Sequence, residues 1–287
     1  MSKRIARAVC LLLLAFLVAG CEERAPRFDA PLASGVITLP MLDSQRFNAM
    51  MSPAGLLAAL RGSGTAVAVD APGAGNALIV AHVLHARFEP VILGVDTTAL
   101  EALVDGGYTL VVGSGFVSVF DPVSPLGLLQ LNGQVRSELT PHGYTRILGV
   151  RDGELGIVGR RDYHRGLFES AIQVGPGVVE KGRLDIRPGE RELPAYIRAF
   201  VATCSDRWLA GVAQTPMHLY DVGESLVGYF DSNSLVCDEV VNLSGDREAL
   251  LALISDDRQS IAYFGNPTLP KASIVAFRAH PRQAGQI

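Results

Sequence analysis

The sequence predicts an α+β protein: a β-rich mixed sheet core with several hairpins and flanking helices. Two observations carry this. Helical spacing of apolar residues is concentrated before Tyr108, in "SPAGLLAALRG" and "TTALEALVDGG". Beyond Tyr108 the chain turns to short apolar runs separated by Asn132-Gly133, Asp152-Gly153 and Lys181-Gly182. Asn-Gly and Asp-Gly supply the positive φ angles that tight hairpins demand, so these pairs mark reversals between antiparallel strands. One helical region followed by several hairpins fits α+β and not a doubly wound parallel sheet.

Residues 1–20 join a basic head (Lys3, Arg4, Arg7) to an apolar core from Leu11 to Val18 and to Ala19 and Gly20, ahead of Cys21. That core falls short of the roughly 20 apolar residues that span a bilayer, and its order is that of a secretory signal. "LVAGC" resembles a bacterial lipoprotein box. The expectation is a secreted protein whose Cys21 carries lipid and anchors it to a membrane on the periplasmic side of the cell envelope; an ordinary cleaved signal or short anchor is the alternative. Residues 21–39, polar and proline-bearing, read as a tether. Residues 40–287 remain as one domain.

Within that domain Ser52 is placed to cap a short helix with Pro53 in its first turn. "EPVILGVD" reads as a buried strand, and Thr98 and Glu101 form a capping box for a helix that Gly106 ends. "RAFVATCSDRWLAGVAQT" is a pair of strands bent at Ser205-Asp206, and "SIVAFRA" is the last strand.

The chain has 25 basic and 29 acidic residues, a formal charge of −4; the signal holds three of the former and none of the latter, so its removal leaves −7. No basic stripe accompanies this balance, and nucleic acid is not an expected partner. Cys10 departs with the signal and Cys21 takes lipid. Cys204 and Cys237 are left as a disulfide in an oxidising compartment or as two buried thiols.

"VVGSGFVSVFDP", "SPLGLLQLNGQV", "AIQVGPGVVEKGRL", "RAFVATCSDRWLAGVAQ" and "VVNLSGDREAL" follow one another in an order and spacing that resemble the phosphodiester glycosidase family. The family pattern runs N-G-G-F-F, P-x-G-L with an N-G or D-G turn, Q-x-G-P, R-T and N-L-D-G-G-x-S. The resemblance covers residues 90–250. It keeps Gly115 and Phe116, then Gln173, Gly175 and Pro176, then Arg198, and finally Asn242, Leu243 and Gly245. The departures fall on chemical groups: Gly113 stands for asparagine, Val117 for phenylalanine and Ala199 for threonine. In the last motif Ser244 stands for aspartate, Asp246 for glycine and Glu248 for serine.

The resemblance implies a sugar-phosphodiester or envelope-glycan ligand. Attack at a sugar centre requires carboxyl groups beside the anomeric carbon, and an arginine fork suits a phosphate. Arg198 is accordingly the expected phosphate-holding residue and Asp246 and Glu248 the acid/base residues. Gly115, Phe116, Gln173, Gly175, Asn242 and Gly245 are expected to shape the ligand site. Two outcomes stand open: hydrolysis with a relocated carboxylate, or a non-catalytic glycan-binding or assembly lipoprotein that uses the same pocket.

No cofactor or metal is expected. "APGAGNAL" has Gly73 and Gly75 but lacks the third glycine and preceding strand of a dinucleotide fingerprint. His82 and His85 stand three apart and would share a face if the segment is helical; with no third ligand nearby, a structural or surface role is expected of them. Ser114 lacks the G-x-S-x-G context of a nucleophile. Asp121 reads as a turn residue before Pro122, Trp208 as a packing residue, and Arg160, Arg161, His164 and Arg165 as a solvated basic loop.

Overall fold

The computed structural model describes residues 34–38, 53–62, 67–120, 122–141 and 143–280. The signal, Cys21, Ser52 and Asp121 lie outside them. Three helices are described: α1 (Pro53–Gly62), α2 (Ala99–Val104) and α3 (Leu219–Ser232). The first strands are β1 (Ser34–Thr38), β2 (Ala68–Asp70), β3 (Leu78–Leu84), β4 (Phe88–Leu93), β5 (Leu110–Ser114), β6 (Phe116–Phe120) and β7 (Val123–Leu126). The middle of the chain adds β8 (Leu129–Leu131), β9 (Gln134–Ser137), β10 (Arg146–Arg151), β11 (Glu154–Gly159), β12 (Ser170–Val174), β13 (Gly177–Glu180) and β14 (Arg183–Leu184). The last are β15 (Arg198–Cys204), β16 (Arg207–Ala213), β17 (Cys237–Gly245), β18 (Leu251–Ile254), β19 (Ser260–Phe264) and β20 (Ser273–Ala279).

They form a six-stranded sheet β1-β19-β18-β5-β20-β4, a seven-stranded sheet β14-β13-β17-β15-β16-β3-β2, a five-stranded sheet β11-β10-β12-β8-β9 and the two-stranded ribbon β6-β7. The α+β class is as the sequence predicts, and every described pairing is antiparallel.

Side-chain alternation along the strands sets the layers, because successive residues point to opposite faces. Ile79, Ala81 and Val83 of β3, Ala199 and Val201 of β15, Leu251 and Leu253 of β18, and Val275 and Phe277 of β20 share one central core between the two large sheets. Their neighbours Leu78, Val80, Phe200 and Ala202 face outward under Leu219, Val222, Leu226 and Phe230 of α3. Ala252, Ile274 and Ala276 face outward on the other side under Ala99, Ala102 and Leu103 of α2. The result is helix, sheet, sheet, helix. Burying one such Leu, Val or Phe contributes about 1.5–3 kcal/mol.

The local signals hold. Thr98 Oγ1 accepts from Glu101 N at 3.2 Å while Glu101 Oε2 accepts from Thr98 N at 2.8 Å, a complete capping box. Asn132, Asp152 and Lys181 adopt φ of 49°, 52° and 52°, each followed by a positive-φ glycine. One element departs from expectation: Ser34–Thr38, assigned to the tether, is strand β1 paired with β19. His82 lies in strand β3. His82 Nε2 meets Tyr229 Oη at 2.7 Å, and the His85 ring lies 4.0 Å from that of Trp208.

Cys204 and Cys237 are joined by a disulfide across β15 and β17. It closes one end of this central pair. At the other end Arg198 faces Gly245.

Candidate functional site

The kept motif residues converge around β17 and its exit. Gly115 N donates to Leu243 O at 3.0 Å, Gly175 N to Asn242 O at 2.9 Å, and Asn242 Nδ2 to Gly175 O at 3.1 Å. Gln173 is fully buried and its amide is saturated: Oε1 accepts from Leu128 N and Thr140 N, and Nε2 donates to Thr140 O and Tyr144 O. It has no atom left for a ligand. Gly127, at φ 91°, is a glycine because a Cβ there would lie 2.5 Å from Gln173 Oε1. The space beside Gly115 is occupied by Ile172 and Ala272, and beside Gly175 by Thr145 N. These residues brace the frame. Phe116 is half-buried and stacks on Tyr144 with ring centroids 3.9 Å apart.

The substituted positions close the space that the family pattern gives to polar side chains. Ser244 is fully buried and donates to Gly113 O at 3.0 Å. A Cβ at Gly113 would lie 2.2 Å from Glu248 O. Gly113 of β5 is thus in direct contact with both the end of β17 and the turn that follows it. Ser114 is buried against Ser273, their hydroxyls 2.6 Å apart, and takes no nucleophile geometry.

Asp246 and Glu248 share a turn and part company in environment. Glu248 is 4% exposed; its Oε2 accepts from Ala272 N at 3.0 Å and its Oε1 has no hydrogen-bond partner. Burial raises its pKa, against the pull of the nearby Lys271. Lys271 is fully buried and donates to Arg247 O, and burial pushes its pKa down to about 8. Glu248 is turned into this interior, where the charge of Lys271 acts on it without a direct ion pair. It is not presented to a ligand.

Asp246 is half-buried, with burial raising its pKa against the hydrogen bond from Ile197 N and the charge of Arg198. Arg198, Gly245 and Asp246 come together with two residues that sequence reasoning did not select, Tyr196 and Glu190. The Arg198 guanidinium lies 4.8 Å above the Tyr196 ring. Burial lowers its pKa, partly offset by Glu190, Asp246 and Tyr196. Both carboxylates are diverted from it: Glu190 Oε2 accepts from Tyr220 N at 3.0 Å, and Asp246 Oδ1 from Ile197 N at 3.3 Å. None of the ion pairs among the described residues includes Arg198, and its Nε is buried without a hydrogen-bond partner. Arg191 gives the contrast, paired with Asp221 at 2.6 Å and Glu224 at 2.7 Å.

A cation that stays charged, is partly desolvated and is unpaired suits an anion with two acceptor oxygens. The sequence did carry a signal for Tyr196. It stands two residues before Arg198, which is same-face spacing in an extended segment. Glu190 and Lys271 carry none, because their roles depend on contacts with distant segments.

Arg161, His164 and Arg165 are exposed, and Arg165 pairs with Glu138 at 3.2 Å, whereas Arg160 is half-buried. Trp208 is 1% exposed and packs in the core. Gly73 and Gly75 lie in a short turn before β3. Among the described residues no group of three or more His, Cys, Asp and Glu is gathered as metal ligands, and no helix is long and apolar enough to cross a membrane.

No protein-family model matches the chain, and no curated protein matches it by sequence. Solved structures do. A hypothetical protein from Synechocystis aligns at 10% identity over 70% of this chain and 62% of its own, with a TM-score of 0.44. The zebrafish N-acetylglucosamine-1-phosphodiester alpha-N-acetylglucosaminidase catalytic domain, auto-inhibited by its pro-peptide, aligns at 10% identity over 88% of this chain and 85% of its own, with a TM-score of 0.50. The chain therefore shares, at a distance, the fold of that catalytic domain.

Proposed function

We propose that this is a secreted, lipid-anchored protein of the cell envelope that binds a sugar-phosphodiester or a related anionic group of an envelope glycan at Arg198, beside Asp246. The observation that carries the reading is the unpaired guanidinium: two carboxylates stand near it, and each is held by a backbone N–H instead. The fold likeness and the order of kept motif residues support the ligand class. The basic and apolar order before Cys21 supports the anchor.

Binding is favoured over turnover by the carboxyl inventory. Glycosidases commonly work with two carboxyl groups flanking the scissile bond. Here Ser244 replaces one, Glu248 is turned into the interior, and the two carboxylates near the cation, Asp246 and Glu190, are each held by a backbone N–H. Hydrolysis is the second reading, favoured by one feature: burial shifts the pKa of Asp246 upward, the direction a proton donor requires. The test is to titrate the full chain with a panel of sugar-1-phosphodiesters while assaying product release. Saturable binding that Arg198→Ala weakens at least tenfold, without turnover, is expected. Turnover abolished by both Arg198→Ala and Asp246→Ala would establish the second reading instead.

A further inference from the structure

An unpaired arginine side chain is ordinarily mobile, because it has several rotatable bonds and loses entropy when ordered. Arg198 lacks the usual remedy of a carboxylate clamp, yet a ready-made anion site needs its fork held in one plane. The ring of Tyr196 supplies the surface. It lies under the guanidinium at 4.8 Å, within the range in which a ring face attracts a cation. The backbone that carries the ring is fixed by a two-bond bridge: Tyr196 N donates to Met217 O at 3.2 Å, and Met217 N donates to Tyr196 O at 2.9 Å. Tyr196 is 39% exposed, so the stack sits at the border of solvent and protein.

We infer that Tyr196 is a positioning residue for the candidate site, its ring and not a carboxylate fixing the plane of the Arg198 guanidinium. The inference rests on the binding reading for its use and on the stack for its geometry. A ring holds a guanidinium without occupying its N–H donors, whereas a carboxylate would occupy the edge that a ligand needs. This also gives the diversion of Glu190 and Asp246 a purpose: the fork is oriented and left open.

The experiment uses the full chain with ¹⁵N-labelled arginine, the Arg198 Nε–Hε signal being assigned by its loss in Arg198→Ala. Parent, Tyr196→Phe and Tyr196→Trp should keep this group ordered, and Tyr196→Leu should drop its order parameter below about 0.6 with the melting temperature unchanged. Dimethyl phosphate binding is measured on the same samples. Phe and Trp should retain it and Leu should weaken it by about fivefold, the order expected of a ring–cation contact. Plain packing predicts the opposite for the bulkier Trp. An Nε–Hε equally ordered in Tyr196→Leu overturns the inference. Loss of order in Tyr196→Leu when the parent binds no phosphodiester would uphold the ring's role and overturn the binding reading.

Discussion

Arg198 faces Gly245 across the β15–β17 ladder, and a Cβ at Gly245 would stand 3.5 Å from Arg198 Nη1 and 3.2 Å from Ile197 O. The residue that follows is Asp246, at φ 47°. The ladder thus ends in a bare backbone position over which the guanidinium lies, with the carboxylate just beyond it. Gly245→Ala should cost less than about 1 kcal/mol of stability, because the contact is tight and not a clash. It should still weaken phosphodiester binding several-fold by shifting the fork. Denaturant midpoints and a binding titration on one preparation check both parts.

Restoring family residues one at a time should damage the protein. Ser244→Asp would place a carboxylate in a fully buried site where the hydroxyl now donates to Gly113 O. An uncompensated buried charge costs about 3–5 kcal/mol. Gly113→Asn would drive a side chain into Glu248 O, which stands 2.2 Å from the position of a Cβ. Overpacking of this kind costs about 1–3 kcal/mol or more. Denaturant melts should show both losses, and neither variant should gain hydrolysis.

Lys271 and Glu248 give a sharper test. Lys271→Met should lose about 3–5 kcal/mol by removing the nearby cation whose charge offsets the buried Glu248 carboxyl, whereas the double variant Lys271→Met, Glu248→Gln should recover most of it. The glutamine keeps an acceptor for Ala272 N. Lys271 carries a pKa pushed down from 10.5 to about 8, so the folded state releases this proton first. Its contribution to stability is present above 10.5 and lost as pH falls through about 8. The parent should therefore gain stability relative to Lys271→Met, Glu248→Gln as pH rises through that window.

Asp246 shifts the other way. Burial raises its folded pKa above 3.8, so the folded state holds the proton more tightly, and this contribution is lost as pH rises through the raised value. Protonation also removes a negative charge beside Arg198. Affinity for dimethyl phosphate, which keeps one charge throughout, should fall as pH rises through that range, and Asp246→Asn should flatten the profile. Isothermal titrations at stepped pH supply the curve.

The disulfide closes the far end of the same ladder over a separation of 33 residues. By the chain-entropy argument its reduction should cost about 3–4 kcal/mol. Arg198 and Gly245 pair at the opposite end, so affinity should change little under reductant wherever the protein stays folded.

What the sequence disclosed follows the range of the physics involved. Thr98 and Glu101, and the pairs beginning at Asn132, Asp152 and Lys181, act within three residues and could be read directly. Helix α3 begins at Leu219, and its N-cap His218 makes no side-chain cap bond, so its start carried no signal. Strand β3, "LIVAHVL", is buried throughout except at its last residue and shows no alternation. The site divided along the same line. Arg198 and Asp246, picked out by motif position, lie together at one end of the β15–β17 ladder, but Glu248 is turned inward beside Ala272 and Lys271, contacts that motif position does not encode. The diversion of Glu190 depends in the same way on Tyr220 N.

The most direct test of the central claim is a calorimetric titration of the full chain with a sugar-1-phosphodiester, beside Arg198→Ala and with product release monitored. Saturable binding that the substitution weakens at least tenfold, without product, is the predicted result. Binding that is indifferent to Arg198, or phosphodiester cleavage that Asp246→Ala abolishes, would contradict it.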